Sequence, residues 1–100
     1  MKIDTEREEN KLMLKIKGRL DTTTSPELEE ALSEEQLEGI NNLTLNFAEL
    51  EYVSSAGLRV LLTVHKRMVA KNGSMVVRKA NEGIRQLFVI TGFSEILTVE

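Results

Sequence analysis

The strongest constraint in this sequence is the repeated switching of its apolar period between two residues and three to four. In residues 11–17 (KLMLKIK) Leu12, Leu14 and Ile16 occupy alternate positions. That is the pattern of a strand with one buried face. Residues 42–47 (NLTLNF) repeat it through Leu43, Leu45 and Phe47, and residues 75–77 (MVV) are a short apolar run suited to a buried strand. Between them the period lengthens. Leu28, Ala31 and Leu32 fall on one helical stripe, introduced by Ser25-Pro26 and closed at Gly39. Leu58, Leu61, Leu62, Val64 and Met68 form a second, ending at Lys71-Asn72-Gly73, and Ile84, Leu87, Phe88 and Val89 form a third, between Asn81 and Thr91-Gly92. Pro fits the first helical turn and Gly the position after the last.

The polar residues 3–8 precede Glu9-Asn10, which turns them back on residues 12–16 as a hairpin, and residues 96–99 (ILTV) supply a last strand. The segment 48–53 reads as a loop. The resulting order is β-β-α-β-α-β-α-β. Strands alternating with helices over short connections predict an α/β domain with a mostly parallel sheet, opened by one antiparallel hairpin. One hundred residues accommodate one such domain, 1–100, with no linker or repeat.

Composition then excludes several functions. Without cysteine there are no disulfides, thiolate metal sites or cysteine nucleophiles. One histidine and no EF-hand spacing leave no recognisable metal site, and neither GxGxxG nor GxxxxGK[ST] is present. The net charge of −3, with no Trp and 4% aromatic residues, argues against direct nucleic-acid binding. The charged N-terminus carries no secretory h-region and no apolar run reaches bilayer length, so a soluble, cytoplasmic chain without membrane insertion is expected.

The charge is unevenly distributed. Residues 1–50 hold six Lys/Arg against twelve Asp/Glu, and residues 51–100 hold seven against four. Six glutamates lie between Glu27 and Glu38 without a Lys or Arg. That stretch is either a solvated helix face or a docking surface for a basic partner.

Ser54-Ser55-Ala56-Gly57-Leu58-Arg59 is the remaining motif. On structural grounds alone, one serine caps the helix and Gly57 permits close packing. The functional reading is a phosphoacceptor, because a phosphate at a strand-to-helix junction meets the positive end of the helix dipole. Serine hydrolase chemistry lacks its base. His65 lies ten residues along the helix from Ser55, roughly 15 Å, and reads as a helix-surface or boundary residue.

Residues 50–62 (LEYVSSAGLRVLL), together with Gly18-Arg19-Leu20-Asp21, resemble the two signatures of STAS domains, and specifically of bacterial anti-sigma factor antagonists. The resemblance extends over residues 2–99. It implies a four- to five-stranded sheet with helices packed mainly on one face, no cofactor and no catalytic residues. It also implies a partner-switching cycle that regulates transcription. The unphosphorylated antagonist binds an anti-sigma factor serine kinase, phosphorylation ends the binding, and a metal-dependent serine phosphatase restores it. The implied phosphorylated residue is Ser55, with Ser54 the other candidate because many relatives carry Asp there. The implied partner-binding residues are Asp21, Ser54, Gly57 and Leu58, with Thr22, Thr23 and Thr24 nearby. A short or missing C-terminal helix, and a monomer or weak homodimer, are further expectations. A STAS module serving constitutively as a scaffold, or as a subunit of a transporter or signalling complex, is the other function consistent with these motifs.

Overall fold

The computed structural model describes residues 1–100. Strand β1 (Lys2–Glu8) turns at Glu9-Asn10 into β2 (Lys11–Leu20). There follow α1 (Ser25–Ala31), β3 (Asn42–Val53), α2 (Ser55–Ala70), β4 (Ser74–Arg78) and α3 (Glu82–Thr91). A 3-10 turn at Phe93–Glu95 leads into β5 (Thr98–Val99). The five strands lie in the order β1-β2-β3-β4-β5, antiparallel only between β1 and β2.

This order determines where the helices lie. Each parallel crossover steps one strand in the same direction, and right-handed crossovers taken in one direction put every helix on the same face. Burial follows that rule. Leu12, Leu14 and Ile16 are at most 5% exposed, whereas Met13 between them is 40% exposed on the open face. Twenty-four buried hydrophobic residues form one continuous cluster between sheet and helices. With few aromatics available, Phe47 and Phe88 are its only large rings, and Leu, Ile, Val and Met fill the rest.

Three elements depart from the sequence reading. The first helix ends at Ala31, and residues 33–39 form successive turns instead of continuing to Gly39. A helix prolonged beyond Leu32 would bring Glu35, Gln36 and Gly39 onto the apolar stripe. Breaking the helix lets Leu37 and Ile40 enter the core instead, at 1% and 0% exposure. No basic residue lies in the last turn of α1 to favour its continuation. Cations from elsewhere complete the segment: Arg67 Nη1 donates to the Leu32 carbonyl at 2.9 Å, Arg7 Nη2 to Glu38 at 3.1 Å, and Lys71 Nζ to Leu37.

The second departure is β3, which continues through the expected loop to Val53. Its buried residues are Leu43, Leu45 and Phe47, then Leu50 and Val53. The spacing of two becomes three because the register against β2 slips twice, between Lys15 and Lys17 and between Gly18 and Arg19. Each slip leaves one extra residue on β3, a β-bulge, and Ala48 N–H at the first donates to Asn46 Oδ1 at 2.9 Å. Gly18 beside the second takes φ 104°, a conformation that side chains disfavour. Third, β5 is confined to Thr98–Val99, and Ile96 stays 44% exposed outside it. No helix is long and apolar enough to cross a membrane.

Candidate functional site

The C-terminal ends of β2 and β3 meet the N-terminus of α2, so the two sequence motifs, separated in the chain by residues 22–49, share one corner of the fold. Their junction is a backbone hydrogen bond, Ser54 N–H to the Leu20 carbonyl at 2.9 Å. Gly57 completes it. A Cβ at that position would lie 2.7 Å from Leu20 Cγ and 3.0 Å from the Leu20 carbonyl oxygen, so only glycine lets α2 come this close to β2.

The two serines have different roles. Ser54 is the N-cap of α2, extended at φ −90° and ψ 175°, and its Oγ accepts from Gly57 N–H at 3.3 Å. Its carbonyl accepts from Leu58 N–H at 2.9 Å. Ser55 is the first residue of the helix and is exposed, while Ser54 is half-buried. Its hydroxyl makes no hydrogen bond within the chain, and its N–H and that of Ala56 have no partner one turn back.

On the β2 side, Asp21 organises the turn before α1. Its Oδ1 accepts from Thr23 N–H at 3.0 Å and from Thr24 N–H at 3.1 Å, an Asx-turn that folds the chain back. The Thr24 hydroxyl accepts from Asp21 N–H at 2.9 Å. It lies 2.7 Å from the Arg19 carbonyl and 3.2 Å from Asp21 Oδ1, so its single proton is shared between them. The Thr24 N–H holds the Asp21 carboxyl below the usual range; partial burial opposes this, while the Thr24 hydroxyl, the Thr23 N–H and the Arg19 guanidinium add to it. Asp21 is therefore an anion at neutral pH, with one oxygen committed to the turn. Thr22 and Thr23 are exposed, whereas Thr24 is half-buried.

A groove of about 490 Å³ runs from Ser55 across to α3. Val53, Leu58, Ile84 and Leu87 give it an apolar floor, and Glu51, Tyr52, Asn81 and Thr91 border it. Leu58 forms part of this lining, while Gly57 is buried against Leu20 and does not line the groove. Asn81 fixes the α3 side, since its Oδ1 caps α3 at Ile84 N–H (2.9 Å) and its Nδ2 donates to the Leu50 carbonyl (3.2 Å). Arg19 stacks 4.3 Å from the centroid of the Tyr52 ring and lies 3.8 Å from Asp21 Oδ2. Tyr52 lies within the 50–62 motif without being singled out there, and Asn81, Ile84 and Leu87 fall outside both motifs. Their only sequence signals are a helix-capping Asn and an i, i+3 apolar pair, which any helix could show. His65 is half-buried farther along α2, and no three His, Asp or Glu side chains gather to hold a metal.

The one-sided α/β layer thus carries an exposed, unbonded hydroxyl at a strand-to-helix junction, beside an apolar groove. The chain belongs to the STAS domain family, whose profile matches residues 2–100. An anti-sigma-B factor antagonist of Staphylococcus epidermidis is 33% identical over 86 residues, spanning 86% of this chain and 80% of the relative. BtrV of Bordetella bronchiseptica is 30% identical over 99 residues, 99% of this chain and 85% of its own. The fold also matches the anti-sigma factor antagonist SpoIIAA in its unphosphorylated form, at TM-score 0.78 and 15% identity over 99% of this chain and 87% of that one. SpoIIAA of Bacillus has also been solved phosphorylated.

Proposed function

We propose that this chain is an anti-sigma factor antagonist that acts by partner switching, with Ser55 as the phosphorylated residue. The unphosphorylated form binds an anti-sigma factor that is also a serine kinase. Phosphate on Ser55 ends that complex, and a metal-dependent serine phosphatase returns the chain to its binding form. The relatives at 30–33% identity support the role.

The observation that carries the Ser55 assignment is the division of labour between the serines. Ser54 Oγ is occupied in capping α2, whereas Ser55 Oγ is exposed and unbonded at the rim of the groove. A phosphate there would add about −1.5 to −2 charges near unpaired helix N–H groups, so the fold tolerates it. A partner covering the groove would have to bury that charge, and burying an unpaired anion is strongly unfavourable. In this reading Thr22, Thr23 and Leu58 touch the partner, while Asp21, Thr24, Ser54 and Gly57 hold the surface in shape.

Peptide mass spectrometry on the chain purified from its own host, with Ser55→Ala alongside, tests the assignment. One phosphate on Ser55, lost in the variant, is expected. Phosphate on Ser54, or none under any growth condition, refutes it; stable copurification with a non-kinase partner would then point to a constitutive scaffold.

A further inference from the structure

Resting on the reading of Ser55 as the modified residue, we propose that Arg59 is the internal partner of its phosphate, so that modification captures a cation the unmodified chain leaves free. Arg59 lies four residues after Ser55 on the exposed side of α2, and both side chains are exposed. Residues so spaced have Cβ atoms roughly 5–6 Å apart, within reach of an arginine and a phosphate. The anion precedes the cation along the helix, the more favourable order for such a pair.

The rest of α2 leaves Arg59 without another partner. The helix (SAGLRVLLTVHKRMVA) contains no Asp or Glu. The five ion pairs of the structure involve Lys15, Lys17, Arg19, Arg67 and Arg78, and none involves Arg59. Arg67, two turns later, shows the contrast: it reaches Glu29 at 3.8 Å and the Leu32 carbonyl at 2.9 Å. Among the residues three or four positions from Arg59, the other hydroxyl belongs to Thr63, and it donates to the Arg59 carbonyl at 3.0 Å. Ser55 is thus the one position within a helical turn where an unbonded group can become an anion facing Arg59.

The consequence is a larger switch than an added charge alone. In the unmodified chain the exposed side of α2, one turn beyond Ser55, presents an unpaired guanidinium. After phosphorylation the same guanidinium folds onto the phosphate in charge-assisted hydrogen bonds, and the rim becomes anionic.

The test uses chain with phosphoserine incorporated directly at position 55, so it does not depend on any kinase. The second ionisation of the phosphate is followed by ³¹P NMR at low salt in otherwise unaltered chain, in Arg59→Gln and in Arg59→Lys. Arg59→Gln is expected to raise that pKa by about 0.15–0.4 unit, roughly 1.4- to 2.5-fold in the ionisation constant. Arg59→Lys should restore part of the shift, and 1 M salt should shrink it. The N–H groups of α2, the carboxylate of Glu51 at the groove and that of Asp21 at the end of β2 are the same in all three chains and cancel. Equal phosphate pKa values in the parent and Arg59→Gln chains would overturn the pairing while leaving the Ser55 assignment intact. Loss of that assignment would instead appear as native chain bearing no phosphate.

Discussion

Replacing Gly57 by Ala separates the close-approach argument from ordinary helix propensity, because the two predict opposite signs. Gly57 lies inside α2, where propensity alone favours Ala by up to about 1 kcal/mol. The structure opposes that gain. The new methyl would lie 2.7 Å from Leu20 Cγ, 3.0 Å from Cδ2 and 3.0 Å from the Leu20 carbonyl oxygen. Reaching ordinary contact requires roughly 0.7 Å of retreat. Leu20 has 0% exposure and nowhere to move, and its carbonyl holds Ser54 N–H. Overpacking of this kind costs about 1–3 kcal/mol, and moving α2 outward also strains the Ser54 bond and cap. The net expectation is a loss of about 1–2 kcal/mol, or roughly 5–15 °C in Tm for a chain of this size. Urea and thermal unfolding followed by circular dichroism would read it as a lower midpoint at unchanged m-value. Gly83→Ala is the control, since its Cβ would meet only Asn81 Oδ1 at 3.4 Å. It should be neutral or stabilising by about 0.5 kcal/mol. A Gly57→Ala chain as stable as the parent would refute the claim that glycine is needed to seat α2 on β2.

Further predictions concern the two serines, the α3 cap and the acid limb. Ser54→Ala should lose about 1 kcal/mol in urea titrations through its cap, while Ser55→Ala should stay within about 0.5 kcal/mol of the parent. Asn81→Ala removes both a cap and a donor to the Leu50 carbonyl, so a loss of about 1–2.5 kcal/mol is expected from the same titration. Asp21 and Glu49 both have lowered pKa values, the first chiefly through the Thr24 N–H and the second through the Lys15 hydrogen bond. A folded pKa below the unfolded value, about 4, means stability that is present above pH 4 and lost as pH falls through the folded value. The unfolding midpoint of the parent should therefore drop on acidification below about pH 4, and more steeply than that of Asp21→Asn/Glu49→Gln.

Legibility of the sequence tracked the regularity of each element. In β2, Leu12, Leu14 and Ile16 alternate without interruption, and the strand falls where the alternation places it. In β3 the same signal fades after Phe47 because the next buried residues, Leu50 and Val53, follow at intervals of three. Two bulges produce that spacing, and a bulge depends on the neighbouring strand, which local periodicity does not describe. The overlong α1 has a different cause. Its stop is visible in the sequence, since Glu35 and Gln36 occupy the turns where the stripe needs apolar residues, but Gly39 offered a more familiar terminator. At the site, the strand-to-helix motif placed Ser54 and Ser55 at the start of α2 directly. The opposite wall of the groove was hidden, because Ile84 and Leu87 reach it only through the packing of α3.

The bulges also explain why the proposed phosphorylation at this corner would not endanger the fold. They carry β3 past its regular pairing, so Val53 enters the core while the next two residues remain outside it. Ser54 then spends its backbone N–H on Leu20, its side chain on the cap and its carbonyl on Leu58. Nothing structural is left for the Ser55 hydroxyl to do. A modification there removes no hydrogen bond and fills no packed space, so its energetic effect falls on whatever covers the groove. Had the caps been reversed, with Ser55 holding Gly57, a phosphate would compete with a cap worth about 1 kcal/mol and loosen α2 from β2. With the exposed serine one position after the capping one, a phosphate on Ser55 would leave the α2 cap and the Ser54–Leu20 hydrogen bond intact, and its effect would fall on the side chains around it and on whatever covers the groove.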